Sequence, residues 1–323
     1  MRVTLEDVAA KAGVSAATVS ICLNRHPVSK KIPEATKQRI AQVVAELGYR
    51  PSTFARALCT GYSNLIGIDI HDISNSYFAH LAGDVIDEAA QYGLNVIVTQ
   101  DHSCSKGSGL PGDMLDGMIY CSPPPRRTSS IKTCVLIDTK RTGCNCVLHD
   151  ISRAMADAAF LMKQRGHSRV CGVFDLARSK AANFVQEFRK AGLIPELSAF
   201  PTFSREKRLA TVVQILRERP PALVINGHLT TRDLLRKLAV SDGSYHPDII
   251  SVCGFWNGEL ADPHLLGVSV TDVRGLAAAA VKMLAENIRS RGAAAPRVEL
   301  IPARFYRSCD FRSIPMTDPE NEY

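Results

Sequence analysis

Seven residues between positions 15 and 24 carry side chains suited to a nucleic acid. Ser15, Thr18, Ser20 and Asn24 offer hydroxyl or amide groups to phosphate oxygens, whereas Ala16, Ala17 and Ile21 offer only methyl groups, which can pack on the methyl of thymine. None of the seven can form the bidentate contact with guanine that an arginine makes. A second group, "CNCVLHD", gathers Cys144, Cys146, His149 and Asp150 and invites a metal reading. A strand there sends the two cysteines to one face and His149 to the other, and no Cys-x-x-C pair occurs elsewhere, so no metal is expected. The chain shows neither a glycine-rich phosphate fingerprint nor a nucleophile elbow, and no convergent set of acid, base and nucleophile assembles. Neither a cofactor nor an enzymatic activity is therefore expected.

The elements that would hold the first group are legible. In "TLEDVAAKAGVSAATVSICLN", residues 4 to 24, Thr4 can cap a helix with Asp7 closing a capping box, and Leu5, Val8, Ala9 and Ala12 fall on one face. Gly13 can take the left-handed conformation of a sharp turn, and Ser15 can cap a second helix whose apolar positions are Val19, Cys22 and Leu23. A small residue at Ala9, a glycine four positions on and an apolar anchor six further at Val19 make helix-turn-helix spacing; the plain alternative is an ordinary helical hairpin. Residues 1 to 60 carry +5 of the formal net charge of +7, a basic head on a near-neutral body and a footprint for a polyanion.

Beyond a third helix, Pro51 ends what precedes it and Ser52 can cap residues 53 to 59, a segment of about two turns, too short to stay helical alone in water. From residue 64 onward, β-rich runs ("LIGIDI", "LNVIVT", "GMIYC", "CVLID", "RVCGVF", "ALVIN", "IISVCGF", "VELIP") alternate with amphipathic helical stretches such as "YFAHLAGDVIDEAAQYG" and "ISRAMADAAFLMKQRG". Such alternation implies an α/β body of parallel sheets covered on both faces, and two such units enclose a cleft at the carboxyl ends of their strands. "DHSCSKGSGLPGD" and "SPPPRRTSS" read as loops and "PMTDPENEY" as a frayed end. No apolar run has the length of a signal peptide or a membrane span, and the ten scattered cysteines suit reduced thiols, so the chain is expected in the cytoplasm.

Residues 3 to 67, "VTLEDVAAKAGVSAATVS…LN…EATKQRIAQVVAELGYRPSTFARALCTGYSNLIG", resemble the DNA-binding head of the lactose-repressor (LacI) family nearly position by position. The resemblance extends over the body through "DISNSYF", "DGMI", "HD", "RGHSRV", "VIN", "VCGF" and "PARFYRS". It implies an all-α helix-turn-helix domain (1–50), a hinge helix and linker (51–63) and a periplasmic-binding-protein-like body of two subdomains (64–323). It further implies a homodimer on double-stranded, pseudo-palindromic operator DNA, with repression as the family's usual sign and the helix at 77 to 91 at the subunit contact. Thr4, Arg25, Thr36 and Arg56 join the seven residues above as DNA contacts, and Leu58 takes the place of the hinge leucine inserted between base steps in the minor groove. Ile21 stands where many members carry a polar residue, and "RHPVSKKIPEAT" is about three residues longer than usual.

Other departures cluster where an effector binds. Asn226-Gly227, Trp256, Lys180 and Asp272 replace groups usual in the family, and the chain is shorter than its relatives ahead of "DGMI". The expected effector cleft comprises Asp72, Tyr77, Phe78, Arg178, Lys180, Asn226, Trp256 and Asp272, whose aromatic faces and two cations suit a planar or anionic small molecule. Two readings stay beside this one: the same regulator with no sugar effector, and a solute-binding module with no regulatory role.

Overall fold

The computed structural model describes residues 3–23, 27–49, 61–100, 114–121, 133–174, 178–199, 205–241, 243–252 and 262–313. The expected hinge segment 53–59, the loops at 101–113 and 122–130 and the tail beyond 314 lie outside them. The chain divides into two compact units, Met1–Asn64 and Leu65–Tyr323.

The first unit holds α1 (Leu5–Ala12), α2 (Ala16–Leu23) and α3 (Glu34–Leu47), with a short 3-10 turn, Pro27–Lys31, in the long loop before α3. Both halves of the capping box form: the Asp7 backbone N–H donates to Thr4 Oγ1 at 3.3 Å and the Thr4 N–H donates to Asp7 Oδ2 at 2.8 Å. Gly13 then ends α1 at φ +63°, a region that costs an L-residue about 1–2 kcal/mol and turns the chain sharply into α2. At the next helix the Thr18 N–H donates to Ser15 Oγ at 3.2 Å. Val8, Ala9, Ala12, Val19, Ile40 and Val43 form one buried cluster that ties the three helices together.

The second unit contains eleven strands in the order β2-β1-β3-β4-β5-β11-β10-β9-β8-β6-β7. One lobe is built from β1 (Leu65–Ile70), β2 (Asn95–Gln100), β3 (Gly117–Tyr120), β4 (Cys134–Ile137) and β5 (Asn145–Asp150), all parallel, with α4 (Ser76–Gln91) on one face. The other contains β6 (Arg169–Phe174), β7 (Ile194–Ala199), β8 (Ala222–Asn226), β9 (Asp248–Val252) and β10 (Leu265–Thr271). Its helices are α5 (Ser152–Gln164), α6 (Arg178–Lys190), α7 (Arg205–Glu218) and α8 (His228–Leu238). α9 (Val273–Arg289) follows β10 but packs into the first lobe, through Leu276, Ala277, Ala280 and Leu284.

β11 (Val298–Arg307) belongs to both lobes: Val298–Pro302 runs parallel to β5, and Ala303–Arg307 runs antiparallel to β10. Pro302, which has no N–H to give a sheet, falls at the changeover. The chain thus passes between lobes three times, after β5, after β10 and within β11. The first lobe's sheet is parallel as expected, whereas β10–β11 departs from a purely parallel second sheet. β7 and β10 were not anticipated; "IPELSA" and "LLGVSVT" are short runs that periodicity alone leaves ambiguous.

Candidate functional site

In the head, the candidate contact surface is the outer side of α2. Val19 is fully buried, and a helical step of about 100° per residue places Ala17 and Ile21 about 160° away from it, with Thr18 and Ser20 flanking them. Ser15 and Ala17 are exposed, and Thr18, Ser20 and Ile21 half-exposed. Ala16 is half-exposed. It lies about 60° from Val19 and packs against the head core beside Cys22 and Leu23, so its methyl group is partly spent inside the domain. Thr4 and Ser15 are engaged as helix caps, and the Ser15 and Thr18 hydroxyls lie 2.8 Å apart. Thr36 is half-exposed in the first turn of α3. Asn24, Arg25, Arg56, Leu58 and Trp256 fall outside the described residues.

In the body, the carboxyl ends of strands from both lobes converge. Tyr77 and Phe78 open α4, whose amino end is capped by Asn75 Oδ1 accepting from the Tyr77 N–H at 3.1 Å. Their rings meet edge to face at 5.1 Å, and the His71 ring stands 6.4 Å from Phe78. Asp138 follows β4 with φ +57°, a left-handed conformation that Asp tolerates better than bulkier residues. His149, near the end of β5, donates its backbone N–H to Asp138 Oδ1 at 3.3 Å and turns Nδ1 toward Asp138 Oδ2 at 3.5 Å. Its Nε2 lies 3.3 Å from the Tyr77 hydroxyl.

Among the described residues, side-chain contacts join the lobes across this space. Lys180 Nζ donates to Asp138 Oδ2 at 3.2 Å, and Ser76 Oγ lies 2.9 Å from His228 Nε2. Gly227, whose φ of +106° suits only glycine, turns the chain from β8 into α8 and sets His228 at that point.

Burial dominates the protonation states here. It pushes the His149 imidazole down to about 4, against the opposing pull of the Asp138 carboxylate. It pushes the Tyr77 phenol and the Cys121 thiol well up. It also acts to raise Asp138, but the neighbouring His149 and Lys180 and their hydrogen bonds outweigh it and hold that carboxyl below its usual range. At neutral pH the imidazole is uncharged and both the phenol and the thiol keep their protons. None of these groups is poised as a base or nucleophile. Among the described residues no group of three or more His, Cys, Asp or Glu side chains could hold a metal ion.

Several expected cleft residues have other work. Asp272 caps α9, with Oδ1 accepting from the Gly275 N–H at 2.8 Å, and a side chain at Gly275 would collide with that carboxylate. Asp72 closes a turn, accepting from the Ser74 N–H and hydroxyl at 2.9 and 2.7 Å. Lys180 is paired with Asp138. Asn226 is buried at the end of β8, and only the backbone of Arg178 is described. Sequence reasoning did not single out Asp138, Ser76 or His228 as cleft residues, and it met His149 only in a metal reading that it set aside and in the "HD" landmark. The available signal was position: a residue just past the end of a parallel strand lands on the cleft.

The family model described as "Bacterial regulatory proteins, lacI family" matches residues 4–52. Catabolite control protein A of Priestia megaterium is 35% identical over 127 residues, which is 38% of this chain and 37% of that one. The ribose operon repressor of Halalkalibacterium halodurans is 46% identical over 96 residues, 29% of this chain and 28% of that one. The matched stretches thus span 37% and 28% of these curated relatives. The crystal structure of the lac repressor dimer bound to operator and the anti-inducer ONPF is similar over 95% of this chain and 99% of its own, with a TM-score of 0.76 and 19% identity. That likeness concerns the fold. No helix among the described residues is long and apolar enough to cross a membrane.

Proposed function

We propose that this chain, by its head a member of the lacI family of bacterial regulatory proteins, is a sequence-specific DNA-binding transcription regulator of the cytoplasm. It acts as a homodimer on a pseudo-palindromic operator, as a repressor, with residues 1–50 as reader, 51–63 as hinge and 64–323 as the dimerising, effector-binding body. One observation carries the reading. The buried Val19 turns a face of hydroxyls and methyl groups outward, on the second helix of a helix-turn-helix in a basic head. A hinge of about two turns would hold its fold only when paired in the minor groove, with Leu58 as wedge. DNA bending and phosphate contacts then supply the affinity that a methyl-lined helix lacks.

Selection of binding sites from random duplexes is expected to return a palindrome with thymine facing Ala17 and Ile21. Ile21→Arg should change the preferred base at its own position to guanine, by about 10- to 100-fold in relative affinity. A guanine already required there by the unaltered protein contradicts the reading.

The cleft is the proposed control point. The two lobes meet through polar side chains, Lys180 with Asp138 and Ser76 with His228, and a small molecule competing for those groups would change the angle between lobes and so the spacing of two hinges. A second reading, a regulator with no small-molecule effector, is favoured by the same pairing, because Lys180 is already matched with Asp138 and Tyr77 with His149. Titration calorimetry of the full chain against anionic and planar metabolites separates the two. Heats lost in Lys180→Ala support an effector in this cleft; no heat from any compound supports the second reading.

A further inference from the structure

Three thiols lie together in the first lobe, away from the carboxyl-end cleft. β4 and β5 are parallel neighbours in the register Val135–Asn145, Leu136–Cys146 and Ile137–Val147. Continued one step back, that register sets Cys134, the first residue of β4, opposite Cys144, which immediately precedes β5. Directly opposed residues share a face of the sheet, and Cys146, two positions beyond Cys144, shares it as well. All three belong to one apolar cluster with Leu115, Met118, Tyr120 and Leu136. Cys134 and Cys144 are partly exposed, Cys146 is buried, and all are reduced. Burial, and after it the adjacent Cys144 sulfur, pushes the Cys134 thiol up, so the sulfurs lie within each other's field.

We propose that Cys134 and Cys144 are a peroxide-oxidisable dithiol that closes to a reversible disulfide across β4 and β5. Neighbouring strands are about 4.8 Å apart, inside the Cα separation of about 4.4–6.8 Å that a disulfide accepts, so the bond needs the two side chains only to lean toward each other. In the first step one thiol gives up its proton and attacks a peroxide oxygen as the thiolate; the O–O bond breaks, leaving a sulfenic acid, and the departing hydroxide takes up the released proton as water. The second sulfur then attacks the sulfenic sulfur, the S–S bond forms, the S–O bond breaks and a second water departs. Two thiols and one hydrogen peroxide thus give one disulfide and two waters. The buried Cys146 is shielded from the oxidant and stays reduced.

The ring so closed spans residues 134–144 and contains Asp138, the partner of Lys180 across the cleft. Oxidation at the amino end of the strands therefore tethers the connection whose other end bears on lobe contact. The chain also enters the body at that amino end, at Leu65 of β1, because β1, β3, β4 and β5 are all parallel.

Full-length reduced protein is treated with hydrogen peroxide, blocked with N-ethylmaleimide, cut with trypsin and mapped by mass spectrometry. The expected product joins peptide 133–140 to peptide 142–153 with the loss of two hydrogens, and dithiothreitol separates them. Cys146→Ser should keep the link and Cys144→Ser should lose it. Cys134 recovered fully alkylated while other cysteines oxidise overturns the proposal, as does a link that persists in Cys144→Ser. The mapping of unaltered protein stands whether or not either variant folds.

Discussion

Val19→Asp is expected to abolish DNA binding while leaving the body folded. Val19 has no exposed surface and sits where α2 meets α1 and α3, in a core of only six buried side chains. A carboxylate there has no partner, and burying an unpaired charge costs several kcal/mol even after local relaxation. A unit of about 60 residues has only a few kcal/mol of stability from its core, so the head unfolds rather than accommodates the charge. The body keeps four apolar clusters of its own, none containing a residue of the head. Calorimetry should show the main transition kept and any separate head transition lost, and fluorescence anisotropy with selected operator DNA should show no specific binding. The outcome that sinks the expectation is operator affinity within twofold of the unaltered protein. Ala17→Asp is the control: Ala17 is exposed, so its variant should weaken binding by repelling phosphate while the head stays folded.

The head was legible because local signals agree at every level. The Thr4–Asp7 box, Gly13 at positive φ, Ser15 and the apolar spacing of Val8, Ala12 and Val19 all act within one short stretch of chain. Ala16 is half-exposed and also packs against the head core, a double role that shows only once the helix is phased on Val19. In the body, strands flanked by long amphipathic helices were visible, whereas β7 and β10 were hidden in short mixed runs. The cleft was less legible. Its polar groups arrive from β4, β5, α4, α6 and α8, up to 152 positions apart, and pair with one another. Residue type and family position put Lys180 and Asp272 in the cleft. Only the fold shows that Asp138 takes the first and that the amino end of α9 takes the second. The three thiols show the same limit, since Cys134 reaches Cys144 through sheet register, which sequence spacing does not encode.

Acidification between pH 6.5 and 4 is expected to destabilise the body by about 3 kcal/mol, and His149→Gln should remove most of that slope. The His149 side chain is almost fully enclosed, and burial brings its pKa from 6.5 to about 4 in the folded chain. Above 6.5 the imidazole is neutral in both states and the folded chain has its full stability. As pH falls below 6.5 the unfolded chain takes up a proton that the folded chain refuses, so stability falls until the folded imidazole also charges near 4. The interval corresponds to about 3 kcal/mol at 1.36 kcal/mol per pKa unit. Asp138, held below its ordinary 3.8, loses its contribution only at lower pH and acts in the same direction. Asp84, raised by burial, acts oppositely, gaining a proton earlier in the folded chain, and offsets part of the slope near the lower end. Protonated His149 would also face the Lys180 ammonium and compete for Asp138, so the lobe contact weakens as the fold does. Urea unfolding at half-unit steps from pH 7.5 to 4.5 measures the slope. Parallel curves for the unaltered chain and His149→Gln would remove His149 as its cause, whereas a flat curve in the variant alone assigns the acid response to the imidazole between Tyr77 and Asp138.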